Sequence, residues 1–115
     1  MFRFEELDIW KRSVVFADEV SLITNSLPQR EQYSLGEQLR RASLSIPTNI
    51  AEGTGRMGKK EFYHFLNIAR GSVYEVANLL MICARRGYIN EEGKVKELKE
   101  SEEISRMISS FMQKL

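Results

Sequence analysis

QLRRASLSIPTNIAEGTGRMGKKEF, residues 38–62, is the stretch that decides the fold. Apolar side chains recur at three- and four-residue spacing through its first half, which predicts an amphipathic helix. Pro47 lies inside that helix, where it removes a backbone hydrogen bond and crowds the preceding turn, so we expect a kink there. Gly53 is expected to end the helix, and Gly58 stands at the N-cap position of the next one. The stretch therefore predicts two consecutive helices joined by a short glycine-rich turn.

Helical periodicity continues on both sides of this stretch, and no alternating strand pattern, repeat or linker interrupts it. Pro28 is expected to end the first helix, and Asn90 to cap the fourth. The four predicted helices cover residues 7–25, a segment starting between 31 and 33 and ending at 53, residues 59–86, and residues 90–115. Short loops join them, so the chain predicts an all-α fold. We expect an antiparallel up-down four-helix bundle that forms a single domain over residues 1–115.

Composition places the chain among ordinary globular domains, with 115 residues of which 43% are hydrophobic and 29% charged. No apolar run approaches the roughly 20 residues that a bilayer span needs, so we expect no membrane partner. The first residues are acidic and lack the apolar segment of a signal peptide. The single cysteine, Cys83, excludes an internal disulfide and fits a reducing compartment. These features favour a cytoplasmic protein.

Positive charge is concentrated around the central stretch. Residues 38–70 carry net charge +4, whereas the whole chain carries +1. The basic residues are Arg40, Arg41, Arg56, Lys59, Lys60 and Arg70. We expect Arg40 to join Arg56 and the two lysines near the junction of the second and third helices. A helix N-terminus surrounded by cations favours a phosphate group, so the pattern predicts a surface that binds nucleic acid, RNA or DNA.

An alternative for the same residues is that the cations are only solvated and the protein is a structural adaptor for another protein. Aromatic side chains that could stack on bases are scarce near the cations. Phe62 and Phe65 fall on the predicted core stripe, which leaves Tyr63 for stacking. The sequence does not distinguish RNA from DNA, and it leaves the identity of a protein partner open.

Patterns typical of cofactor and catalytic sites are present only in part. Gly53, Gly55 and Gly58 have the spacing of a dinucleotide-binding or P-loop motif, but both motifs require a preceding β-strand, and none is predicted. His64 is the only histidine, so one chain cannot supply the paired motifs of a helical di-metal site. His64 and Cys83 are separated by about 29 Å along one helix at about 1.5 Å per residue. We therefore predict no enzymatic activity, no metal and no cofactor.

Two further sets of residues suggest contacts between helices or between chains. Arg41 begins a polar row on the second helix, and arginine pairs readily with carboxylates at helix interfaces, so we expect it to pair with Glu75. Ile68, Leu79 and Ile82 fall away from the main apolar stripe of the third helix. Because a monomeric bundle buries one stripe per helix, these three residues predict an oligomer interface.

The quoted segment also resembles a known family. FEELDIW (4–10), QLRRASLSIPTNIAEGTGR (38–56) and KKEFYHFLNIARGSVYE (59–75) resemble the four-helix-bundle proteins encoded in intervening sequences of large-subunit ribosomal RNA genes. That family is similar in turn to the accessory variability protein of diversity-generating retroelements. The likeness covers nearly the whole chain, although Gly58 replaces the serine N-cap that relatives usually carry. The resemblance implies a homopentameric barrel of bundles with a positively charged surface and no enzyme activity. For the retroelement relative, it implies binding of nucleic acid and of a reverse transcriptase.

Overall fold

The computed structural model describes residues 1–115 and contains four α-helices and no β-strand. The helices are α1 (Asp8–Asn25), α2 (Leu35–Thr54), α3 (Lys59–Arg85) and α4 (Glu91–Gln113). Short 3-10 turns precede α1 and α2, at Arg3–Glu6 and Gln29–Glu31. The molecule measures 43 × 23 × 22 Å, and a helix as long as α3 extends about 40 Å at about 1.5 Å per residue. The helices therefore lie side by side along the long axis, which confirms the predicted four-helix bundle.

One continuous core is formed by the inward-facing apolar stripes of the helices. Its fully buried large side chains come from every helix: Phe16, Val20, Leu39, Ile46, Ile50, Leu66, Val73, Val76, Leu80, Ile104 and Ile108. Burying one such side chain stabilises the folded chain by about 1.5–3 kcal/mol, so these stripes provide most of the driving force. Cys83 belongs to the same core, and burial raises the pKa of its thiol. None of the four helices combines the length and apolar character that crossing a bilayer requires.

The ends of the helices follow local backbone chemistry. Gly87 directly follows the C-cap of α3 with a φ of 79°, the left-handed conformation that favours glycine. Asn90 caps α4, because its side-chain oxygen accepts a hydrogen bond from the Gly93 N–H at 2.7 Å. Both boundaries agree with the sequence prediction.

Helix α2 differs from the prediction at its start. It begins at Leu35 rather than between residues 31 and 33. The Gln32 side chain donates hydrogen bonds to the carbonyl oxygens of Thr24 and Leu27, and Arg40 donates to the Gln32 carbonyl. These contacts hold the preceding segment as a turn against the end of α1. Further along, α2 runs through Pro47 without interruption, and the kink there remains a prediction.

Helices α2 and α3 approach each other closely near their shared turn. A Cβ atom added to Gly53 would lie only 2.7 Å from Cδ1 of Phe62 and 3.0 Å from Cβ of Phe65. Glycine is therefore required here for close packing. The prediction that Gly53 ends the helix is wrong, because α2 continues to Thr54 and its C-cap is Gly55. Further along the same interface, the Ser45 and Ser72 hydroxyls share a hydrogen bond of 2.8 Å.

The seam between α1 and α4 is largely polar. Arg12 donates two hydrogen bonds to the carboxylate of Glu100 and one to Glu103. Nearby, Glu97 is only 4% exposed, and its Oε1 atom has no hydrogen-bond partner. Burial, together with the adjacent carboxylate of Glu19, raises the pKa of Glu97 to about 7. Glu97 is thus a buried acid that holds its proton up to near-neutral pH.

Candidate nucleic-acid interface

The turn between α2 and α3 presents a group of cations at one end of the bundle. Arg56, Lys59 and Lys60, which we call the turn cluster, are all exposed. None of the three takes part in a salt bridge. Gly58, the N-cap of α3, has no side chain to accept a hydrogen bond from the first N–H groups of the helix. Cationic side chains and free N–H groups therefore occur together at this helix end, as a phosphate site requires.

Aromatic contacts order part of this surface. The guanidinium of Arg56 lies 4.5 Å from the centre of the Phe65 ring, and that of Arg3 lies 5.2 Å from the centre of the Phe62 ring. Arg3 precedes α1, so the fold brings a further cation to the same end. No helical periodicity links Arg3 to the turn cluster, which is why sequence reasoning missed it.

Acidic residues limit how far the field of the turn cluster extends. Glu52 lies on the last turns of α2, and Glu61 lies in the first turn of α3. The three cations of the cluster exceed these two carboxylates by one charge. Because exposed charges are screened over about 8–10 Å at physiological salt, this surface is suited to direct contact with an anion rather than to long-range attraction.

Arg40 does not belong to the turn cluster, and the prediction that placed it there is wrong. Its residue number precedes that of Arg56 by 16, a distance of about 24 Å along a helix at about 1.5 Å per residue. Its Nη2 atom donates to the Gln32 carbonyl at 2.6 Å, and Nη1 donates to Gln32 Oε1 at 3.3 Å. Arg40 therefore ties the turn before α2 to the helix, at the opposite end of the molecule.

Arg41 is exposed, as a binding residue requires, but its predicted salt bridge to Glu75 is absent. The two side chains line one shallow depression between α2 and α3 without pairing. The polar contact across this seam is the Ser45–Ser72 hydrogen bond instead, and Asn49 supports it by donating to the Ser45 hydroxyl at 2.9 Å.

Arg70 lies in a separate groove between α3 and α4. Its Nε atom donates to the Ser109 hydroxyl at 2.7 Å, and its Nη2 atom donates to the Tyr74 hydroxyl at 3.3 Å. The guanidinium also lies 5.1 Å from the centre of the Tyr74 ring. The groove has a volume of about 530 Å³ and includes Arg106 of α4. The six basic residues predicted from the sequence are therefore divided among several surfaces, and only Arg56, Lys59 and Lys60 form one cluster.

The sequence matches the family model described as 23S rRNA-intervening sequence protein over residues 5–110. The chain belongs to this family. A similar solved structure is that of a protein with unknown function from the S23 ribosomal protein family of Bacteroides thetaiotaomicron. It has a TM-score of 0.84 and 25% sequence identity, and the match covers 90% of this chain and 97% of that one. No curated protein matches the chain.

In this member of the intervening-sequence family, the three apolar residues assigned to an oligomer interface do not share one exposed face. Ile68 is 40% exposed, Ile82 is half-buried against the core, and Leu79 is only 5% exposed within it. The prediction that Leu79 lies off the core is wrong. Helix α3 packs between α2 and α4, so its buried arc is wider than a single stripe. Ile68 keeps the exposure that an interface role requires.

Proposed function

We propose that this family member is a non-enzymatic, oligomeric helical bundle that binds nucleic acid through phosphate contacts at the turn cluster. The observation that carries the proposal is the set of exposed, unpaired cations around the uncapped start of α3. The nucleic acid is RNA or DNA, the compartment is the cytoplasm, and the assembly is a homo-oligomer of five subunits, as the family resemblance implies.

The chemistry of the turn cluster favours backbone contact over base reading. Lysine, arginine and helix N–H groups recognise phosphate oxygens, which are the same for every base. Arg56 is ordered by its contact with Phe65, so it loses less conformational freedom when it binds. Repetition of the cluster around an oligomer would add contacts along one strand without requiring new chemistry. We therefore expect binding with little sequence preference and a steep dependence on salt.

The test changes Arg56, Lys59 and Lys60 together to Gln and measures binding of short labelled RNA and DNA by fluorescence anisotropy across a salt series. Each lost phosphate contact should lower the slope of log K against log salt by about 0.7 for single strands or about 0.9 for duplex DNA. The matched control changes Lys94, Lys96 and Lys99 of α4 to Gln. Two of these lysines already face Glu91 and Glu19, so this variant should bind almost normally.

Equal losses in the two triple variants would indicate diffuse attraction and contradict a defined site. No binding by the unmodified protein at low salt would contradict nucleic-acid binding itself. Circular dichroism and light scattering on each variant separate a loss of contacts from a loss of fold or assembly.

The oligomeric state of the protein is tested by a separate measurement. Light scattering at micromolar concentration should give an oligomer, and a monomer would contradict this part of the proposal. Ile68→Asp should weaken the oligomer because it places a charge on a half-exposed apolar position of α3. Asn67→Asp, at the exposed neighbouring position, is the matched control and should leave the mass unchanged.

A second candidate function is that of a protein-protein adaptor. Val15 and Leu22 are exposed on α1 and lie two helical turns apart on the same face, where they contribute apolar surface that contacts nothing within the chain. This candidate survives if the unmodified protein binds neither RNA nor DNA at low salt. Val15→Glu combined with Leu22→Glu should then abolish partner binding while the fold remains.

A further inference from the structure

The groove between α3 and α4 is a second polar surface of the molecule, distinct from the turn cluster. Its volume of about 530 Å³ falls within the range of about 300–1,000 Å³ that is typical of sites for small ligands. Arg70, Tyr74 and Met81 line it from α3, and Ser105 and Arg106 line it from α4. It thus combines cations, hydroxyl groups and an aromatic ring within one concave surface.

The aromatic ring in this groove is placed for stacking. Tyr74 is 59% exposed although it lies in the middle of a long helix. Arg70 lies against the ring and is itself held by the Ser109 hydroxyl, so the two planar groups form an ordered pair. The exposed part of the ring remains available to another planar group. Stacking of bases on aromatic rings and on guanidinium planes is the main contact of proteins that bind single strands.

Charge in the groove favours an anion. Glu102 is the one carboxylate that lines the groove beside Arg70 and Arg106. Arg106 also borders Glu103 on its other side, but it forms no salt bridge. Arg70 donates only to neutral hydroxyl oxygens, so its positive charge is not neutralised within the chain. A ligand that carries both a planar apolar group and a negative charge would complement the Tyr74 ring and the two arginines of the groove.

We propose that the α3–α4 groove binds single-stranded nucleic acid, with a base on Tyr74 and phosphate groups on Arg70 and Arg106. This inference rests on the proposed function and adds to it a second site and a preference for unpaired bases. Bases within a duplex are already stacked on each other and cannot reach the Tyr74 ring, so the groove discriminates strand type. An acidic protein segment would satisfy the arginines but would leave the exposed ring without a planar partner.

The experiment compares a labelled single-stranded oligouridine with a duplex of the same length. Tyr74→Leu should weaken single-strand binding by about tenfold or more, the effect of losing one stacked base, and should leave duplex binding unchanged. Tyr33→Leu is the matched control, because Tyr33 is an exposed tyrosine in the turn before α2, outside both the groove and the turn cluster. Tyr74→Phe keeps the ring and should keep single-strand binding. Arg106→Gln should weaken single-strand binding and lower its salt slope, whereas Arg85→Gln should not.

Site-specific photocrosslinking tests the position directly. A single strand containing 4-thiouridine should crosslink to α3 at Tyr74, as read by mass spectrometry of the digested complex. Crosslinking at the turn cluster alone would overturn the groove as a site.

Other outcomes separate this inference from the proposed function. Normal single-strand binding by Tyr74→Leu, together with a loss in the triple Gln variant of the turn cluster, overturns the groove and retains the turn cluster. If the groove variants lose single-strand binding while the triple Gln variant of the turn cluster binds normally, the groove is supported and the turn cluster is refuted. Binding of acidic peptides in place of oligouridine overturns the groove as a nucleic-acid site, and absence of all binding at low salt overturns both.

Discussion

Replacing Glu97 by Gln should remove a large part of the pH dependence of stability. Glu97 is buried at the α1–α4 seam, and its Oε1 atom has no donor within the chain. When protonated, the side chain can donate a hydrogen bond to the adjacent carboxylate of Glu19. When ionised, it places a second negative charge at a buried position, where only Lys96, 3.8 Å from Glu19, lies close enough to compensate. A glutamine amide reproduces the donor of the protonated form at every pH.

The expected size follows from the raised pKa. Burial and Glu19 raise the pKa of Glu97 from an ordinary 4.5 to about 7. In that interval the folded chain retains a proton that the unfolded chain has released, so the free energy of unfolding falls as pH rises. The contribution of Glu97 is complete below about pH 4.5, is lost progressively up to about pH 7, and changes little above that. At about 1.4 kcal/mol per pH unit, the total loss is at most about 3.5 kcal/mol.

Urea unfolding followed by circular dichroism, at one protein concentration and from about pH 4.5 to 7.5, measures the effect. The difference in unfolding free energy between Glu97→Gln and the unmodified chain should grow in favour of the variant across that range. Glu102→Gln, at an exposed position of the same helix, is the control and should show no such trend. A difference that stays constant with pH would refute the assignment of the proton to Glu97.

Two further predictions concern packing and the α1–α4 seam. Gly53→Ala should destabilise the fold by about 1–3 kcal/mol because its Cβ would overlap Phe62, whereas Gly71→Ala, with nothing within 4 Å of the new atom, should stabilise α3 by about 1 kcal/mol. Thermal unfolding compares the two variants, and equal shifts would contradict the packing assignment. Arg12→Met should cost about 1 kcal/mol or less, because the side chain is 36% exposed and its bonds to Glu100 and Glu103 are screened by water. High salt should shrink that cost, and an effect independent of salt would rule out an electrostatic origin.

The fold was predictable because its information is local. Each helix has an apolar stripe with the 3.6-residue period, and Gly87 and Asn90 mark a boundary by their own backbone chemistry. The late start of α2 was not predictable in this way. It depends on Gln32, which bonds back to the end of α1, and such a contact leaves no periodic signal.

The sequence predicted which residues of the candidate sites are positively charged, but it did not predict where their side chains lie in the folded chain. Sequence identified Arg40 and Arg70 as cations, but it could not show that hydrogen bonds direct the guanidinium of each to a different surface. Tyr63 was chosen for stacking because it adjoins the lysines in sequence. Tyr74 became a candidate only when α3 and α4 were seen to form a groove around it. The positions of side chains between helices depend on how the helices pack, which a single amphipathic pattern does not specify.

Both chain ends lie at the same end of the bundle as the turn cluster. Arg3 lies over the ring of Phe62, and the same ring packs against Phe111 of the last helix, with ring centres 5.6 Å apart. An affinity tag fused to either terminus would therefore sit beside Arg56 and the two lysines, and a polyhistidine or acidic tag would alter the field there. Fluorophores and surface-immobilisation handles belong instead at the far end, in the loop before α2 or the loop after α3. A cysteine introduced at exposed Gln29 would serve, because the native thiol is enclosed in the core and should not compete for the reagent.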